Sequence, residues 1–169
     1  MSTTPLASLG AGFSNEAFGS QAVFRAVLQA LSHPGRTVAV EHDAQAPAVG
    51  HSASAAVLLA LLDSDCTLWL SPKLAASDAG AWLRFHTGCT LVADAAQARF
   101  VWVAQGDALP ALNRLALGAD IYPDQSATCV VDVSRPPWWR PCGWMACPTT
   151  SRPSGRPTMG CFRAVSICC

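Results

Sequence analysis

Between residues 20 and 133 the sequence alternates between segments of helical periodicity and short β-branched or aromatic runs. This alternation favours a layered α/β domain over separate α and β blocks. Ser20 is placed to cap a helix running to Ser32, with Phe24, Val27, Leu28 and Leu31 at i, i+3, i+4 and i+7 on one face. His33-Pro34-Gly35 ends it, because the residue before proline leaves the helical region and glycine permits reversal. Residues 37–40 read as a short strand and 42–51 as a surface loop. Ser52 or Ser54 opens a second helix over 55–62 that is apolar all round and therefore buried. Asp63-Ser64-Asp65 is a turn, and 66–70 is a strand of bulky and β-branched residues ended by Ser71-Pro72. Ser77 or Asp78 caps the next helix, and strands follow at 90–92 and 99–103. Residues 109–117 read as a helix that tolerates Pro110 in its first turn, and 127–133 as a last strand. No repeat with a period of 20–50 residues is visible.

This regular text stops near Ser134. Up to that residue the chain carries six Lys/Arg and eleven Asp/Glu, whereas the last 35 residues carry five Arg and no acid. Six of the twelve prolines, five of the eight cysteines and three of the six tryptophans fall in those last 35 positions. The chain therefore divides into an N-terminal arm (1–19), an α/β domain (20–134) and a segment of different composition (135–169). With 51% apolar and 13% charged residues the chain has the makings of a buried core, not of a disordered protein. The N-terminus lacks a basic region followed by an apolar one, and no apolar run reaches membrane-spanning length, so the expectation is a cytoplasmic protein.

The helix that begins after Ser77 or Asp78 closes on Trp82-Leu83-Arg84-Phe85-His86-Thr87-Gly88. Arg and His in the last turn face the negative end of the helix dipole, and Gly88 supplies the left-handed residue that ends it. One reading pairs His86 as a base with Cys66 or Cys89, yet no third group in the sequence orients it, and a capping or core histidine is the simpler reading. Arg84 alone makes no anion site; an ion pair or helix-end role suits it better. Asp63 and Asp65 are half of a calcium loop without the remaining ligands or the closing glutamate, hence a polar turn. Lys73 is the only lysine, and nothing around it suggests the desolvation a Schiff base requires. Dinucleotide, P-loop, zinc-protease and nucleophile-elbow motifs are absent. No catalytic, cofactor-binding or metal-ligating residue is assigned, and neither a metal nor pyridoxal phosphate is expected.

The cysteines of the last segment form no CxxC pair, and no histidine follows residue 86, which argues against zinc. A disulfide framework belongs to secreted chains, and the Arg/Trp text offers neither helix nor ribbon to a nucleic acid. The genetic code gives a better account. Cys142-Gly143-Trp144-Met145-Ala146-Cys147 must be encoded TGY GGN TGG ATG GCN TGY. Read from the last base of the Pro141 codon, the same bases give NTG-YGG-NTG-GAT-GGC-NTG. That is apolar, Arg or Trp, apolar, Asp, Gly, apolar: a strand entering a turn. A reading-frame slip shortly after Val133 accounts for the change of composition.

Several short pieces, in order and spacing, resemble a known family. They are Phe24-Arg25 through Ala30 with Ser32 and Pro34-Gly35, then Val57-Leu58-Leu59 ahead of Asp63-Ser64-Asp65-Cys66-Thr67. Trp69-Leu70-Ser71 and Leu83-Arg84-Phe85-His86-Thr87 follow, and finally Gly118, Pro123-Asp124 and Ala127-Thr128. Over about residues 20–133 the chain resembles the PhnH-type subunit of the bacterial carbon–phosphorus lyase core complex. The family's later glycine-rich strand–turn and its following helix and sheet are not recognisable after Ser134. The resemblance implies a three-layer α/β fold with a mixed sheet, similar to pyridoxal-phosphate-dependent transferases but without their cofactor site, and here lacking its C-terminal part. It also implies a homodimer that assembles with the other core subunits to support coupling of a phosphonate to the ribose of ATP before C–P bond cleavage. The subunit itself contributes no established catalytic residue, so Arg84 and His86 are landmarks only. Two other readings stay open: a small enzyme using His86 with Cys66 or Cys89, and a non-functional frameshift product.

Overall fold

The computed structural model describes residues 9–33 and 37–133, apart from the Asp124 side chain. The expected helix stop at Pro34-Gly35 and everything from Ser134 onward lie outside these residues. Helix α1 spans Glu16–Ser32, α2 Ser52–Leu61, α3 Pro72–Ala75 and α4 Ala79–Thr87. The strands are β1 Thr67–Leu70, β2 Thr90–Leu91, β3 Phe100–Val103 and β4 Thr128–Val131. Single 3-10 turns occupy Ala95–Gln97, Leu112–Arg114 and Pro123–Gln125.

The four strands form one sheet in the order β2-β1-β3-β4, and every pair is parallel. The expected mixed sheet is thus corrected for the described residues, where the sole antiparallel contact is an isolated bridge, Leu117 to Ser126. Strand order and crossover handedness together decide which face each connection covers. The path from β1 to β2 runs one way across the sheet, and the paths from β2 to β3 and from β3 to β4 run the other way. A right-handed crossover must therefore change faces after β2. Helices α3 and α4 accordingly pack on one face, against Leu68, Leu70, Trp102 and Val130. The later connections bring Ala98, Leu115 and Ala127 onto the opposite face, over Val101, Val103 and Cys129.

Helix α2 sits at the centre of the helical side. Its Ala55 and Leu58 join the core over the sheet, while Ala53, Ala56 and Val57 receive α1 through Val23 and Val27. A helix apolar on all sides is explained by burial on two sides, as its sequence implied. Val57, Leu58, Leu62, Leu68 and Leu70 lie in the core as expected, and Leu59, Ala60, Leu61 and Trp69 are half-buried.

Four local expectations are corrected. Helix α1 starts at Glu16, capped by the Asn15 side chain, which accepts from the Phe18 N–H at 3.1 Å, and not at Ser20. Its buried stripe is Val23 and Val27, with Leu31 half-buried, leaving Phe24 and Leu28 nearly half exposed at 45% and 48%. Residues 37–40 form no strand, because Val40 packs against the α1–α2 contact and has no sheet edge beside it. Residues 109–117 form only a 3-10 turn. There the backbone extends so that the Ala116 carbonyl accepts from Ala127 N–H at 2.8 Å and Leu115 turns inward; tertiary pairing overrides helix propensity.

This orientation of α1 predicts unequal effects from neighbouring substitutions. Val27→Ala should cost about 2 kcal/mol of unfolding free energy and Leu28→Ala less than about 1 kcal/mol, measured by urea denaturation. Equal losses, or a larger one at Leu28, would place the wrong face of α1 inside.

Candidate functional site

In an open parallel sheet, ligands bind at the carboxyl ends of neighbouring strands whose connections leave in opposite directions. Here that pair is β1 and β3, and the loops after them are Ser71-Pro72-Lys73 and Ala104-Gln105-Gly106-Asp107. These loops are bonded to each other. The Ser71 N–H donates to the Trp102 carbonyl at 2.9 Å, and the buried Ser71 hydroxyl accepts from Ala104 N–H at 3.0 Å. Asp107 accepts from the Lys73 N–H at 3.0 Å, while Lys73 Nζ donates to the Gln105 carbonyl at 2.9 Å and lies 3.4 Å from the Asp107 carboxylate. The Ser71 hydroxyl, then the Lys73 N–H, hold the Asp107 carboxyl below its ordinary value of 3.8. Lys73 is therefore tied at its head group by an ion pair and a carbonyl, the opposite of the desolvated amine that Schiff-base chemistry uses.

Beside this crevice, at the end of β4, lies a residue the sequence reading did not single out. Asp132 is 3% exposed, and its carboxylate accepts three hydrogen bonds. They come from the Ser54 hydroxyl at 2.6 Å, the Trp102 indole at 3.1 Å and the His51 N–H at 3.0 Å. The Ser54 hydroxyl and the His51 N–H hold this carboxylate at the N-terminus of α2, where His51 makes no side-chain cap of its own. Gly50 is required immediately before: its φ is +96°, and a Cβ there would meet the Trp102 ring at 2.5 Å. The sequence signal was no more than an acid following an apolar strand, and its partners lie 30 to 81 residues away.

The Trp82–Gly88 text has a structural explanation. Gly88 ends α4 in the left-handed region at φ +75°, as expected. The Trp82 indole and His86 Nε2 both donate to the Gly10 carbonyl, at 2.8 and 3.0 Å, and a carbonyl can only accept, so Nε2 carries the proton. The His86 ring meets Trp82 and Phe85 edge-on at 5.0 Å. Residues 10–14 are further held by Gln45, which exchanges bonds with Ala11, and by Asp43, which accepts from Ser14. A cavity of about 410 Å³ lies under this segment, lined by Gly12, Phe13, Glu16, Asp63, His86 and Thr87 among others.

The remaining candidates are not brought together into a reactive site. The Cys66 N–H donates to the Asp63 carbonyl and the Cys89 N–H to the Thr87 hydroxyl, each at 3.2 Å, while His86 Nε2 is engaged by the Gly10 carbonyl and bonds to neither thiol. Burial raises the pKa of both thiols, which opposes nucleophile activation. Asp63 accepts from the Asp65 N–H at 3.0 Å in a polar turn. Arg84 is exposed and makes no ion pair among the described residues. Among the described residues no cluster of three or more His, Cys, Asp or Glu is placed to hold a metal, and no helix is long and apolar enough to cross a membrane.

These features define an α/β domain whose strand-end crevice is cross-linked by its own loops. Residues 11–137 match the family described as bacterial phosphonate metabolism protein (PhnH), and the chain belongs to this family. It is 39% identical over 121 residues to the alpha-D-ribose 1-methylphosphonate 5-triphosphate synthase subunit PhnH of Rhizobium meliloti (strain 1021), a match covering 72% of this chain and 60% of that relative.

The sealed crevice makes a pH prediction. Because the Asp107 carboxyl titrates below its ordinary value when folded, its stabilisation is fully present above 3.8 and is lost as pH falls through the depressed value. Ser71→Ala removes the largest cause, so the Asp107 carboxyl resonance should titrate closer to 3.8 than in the parent chain. An unchanged midpoint would remove Ser71 from the account.

Proposed function

We propose that this chain is a non-catalytic subunit of the carbon–phosphorus lyase system, supporting the coupling of a phosphonate to the ribose of ATP alongside the other core subunits. The observation that carries this reading is family membership across residues 11–137, joined to a strand-end crevice whose polar groups satisfy one another. The Rhizobium relative is a synthase subunit, which supports the reaction and the multi-subunit setting of this reading. The finer parts of the reading are a homodimer in the cytoplasm, no cofactor of its own, and the three-layer arrangement of pyridoxal-phosphate-dependent transferases. The α/β domain extends to about residue 134.

The segment 135–169 is read as out-of-frame text. Its five Arg, six Pro and five Cys without an acid follow directly on regular α/β sequence, and the shifted codons across 142–147 restore strand-like text. A domain lacking its later strands keeps the outer edge of β4 for pairing, since the register points Cys129 and Val131 backbone groups away from β3.

Affinity co-purification with the other synthase subunits tests this reading. The frame-restored chain should bring the partner subunits down in stoichiometric amounts, and the present chain should recover at least tenfold less. A frame-restored chain that captures none of them refutes the subunit role. Equal capture by both chains refutes the frame slip.

A further inference from the structure

We propose that Cys66 and Cys89 form a redox-closable pair that staples the start of β1 to the start of β2 and so fixes the C-terminal end of α4. The register pairs Thr67 with Thr90 and Leu68 with Leu91, which sets the preceding residues, Cys66 and Cys89, opposite each other. The pairing reaches that far: Thr90 N–H donates to the Cys66 carbonyl at 3.0 Å. Both side chains lie on the helical face of the sheet, within one core cluster that includes Leu68 and Leu83. Neighbouring strands lie about 4.8 Å apart, inside the Cα separation of about 4.4–6.8 Å that a disulfide spans. The thiols must approach somewhat more closely than parallel neighbours ordinarily do. Each cysteine precedes the first paired residue of its strand, where the ladder holds the chain least.

The reaction needs an oxidant, and a low-molecular-weight disulfide suffices. The Cys66 thiolate attacks one sulfur of that disulfide and expels a small thiolate. The Cys89 thiolate then attacks the Cys66 sulfur and expels the second. Each cysteine loses its proton, the pair gives up two electrons, and the oxidant leaves as two small thiols. Cys66 is the entry point, at 8% exposure against 1% for Cys89. Burial raises both thiols above their ordinary range, so closure is slow near neutrality and speeds up as pH rises. The closed loop contains α3, α4 and the Arg84-Phe85-His86 text, joining the His86 contact with Gly10 to a covalent frame.

The test treats the full chain, natively folded, with oxidised glutathione at neutral and at alkaline pH. Free thiols are then blocked and the digest is mapped by mass spectrometry. The expected product is a linked peptide pair containing Cys66 and Cys89, lighter by two hydrogens than the separate peptides, formed faster at alkaline pH and reversed by reductant. The oxidised chain should unfold about 5 °C higher than the reduced one, and Cys66→Ser should abolish that rise. Recovery of both cysteines as free thiols, as separate glutathione adducts or paired elsewhere overturns the proposal.

Discussion

The buried carboxylate of Asp132 is the interaction on which the arrangement of the domain depends. It stands at the end of β4, receives the indole of Trp102 from β3, and accepts from the Ser54 hydroxyl and the His51 N–H at the head of α2. Helix α2 is the element that both the sheet and α1 pack against, so its axis fixes two interfaces at once. A carboxylate this deep is tolerated because three donors and the positive helix terminus compensate for lost water, each charged hydrogen bond contributing about 1.5–3 kcal/mol. Removing it orphans three groups together. Gly50 and Trp102 belong to the same construction, since the ring occupies the space where a Cβ would stand.

At the strand ends, the position that holds ligands in other open parallel α/β sheets is here occupied by loops bonded to each other. Opposite connections from β1 and β3 open a crevice in principle. In this chain Ser71, Lys73 and Asp107 bridge it, and Asp132 fills the next position along the sheet. Groups that elsewhere would face a substrate here hold loops in place.

Much of the fold was legible in the sequence because the core strands are rich in Val, Trp, Leu and Thr, and because α2 carries no polar face. The direction of the strands was not, since parallel and mixed sheets bury similar text. The face of α1 was misread because Val23/Val27 and Phe24/Leu28 are two overlapping stripes, and periodicity alone does not choose between them. Residues 109–117 have helical text but pair with the strand-like approach to β4, a tertiary choice. Of the Trp82–Gly88 stretch, the helix end at Gly88 was legible in the sequence. The role of the stretch was hidden, because His86 and Trp82 share a carbonyl more than seventy residues upstream. Asp132 was invisible for the same reason: a cap supplied by a residue 81 positions away leaves no local pattern.

The most direct test of this account is a double-mutant cycle on Asp132 and Ser54 followed by urea unfolding. Asp132→Ala should cost about 3–5 kcal/mol, Ser54→Ala about 1–2 kcal/mol, and the pair at least about 1 kcal/mol less than their sum. If Asp132→Ala changes stability by less than about 0.5 kcal/mol, or if the two losses simply add, Asp132 is not the joint that holds α2 to the sheet.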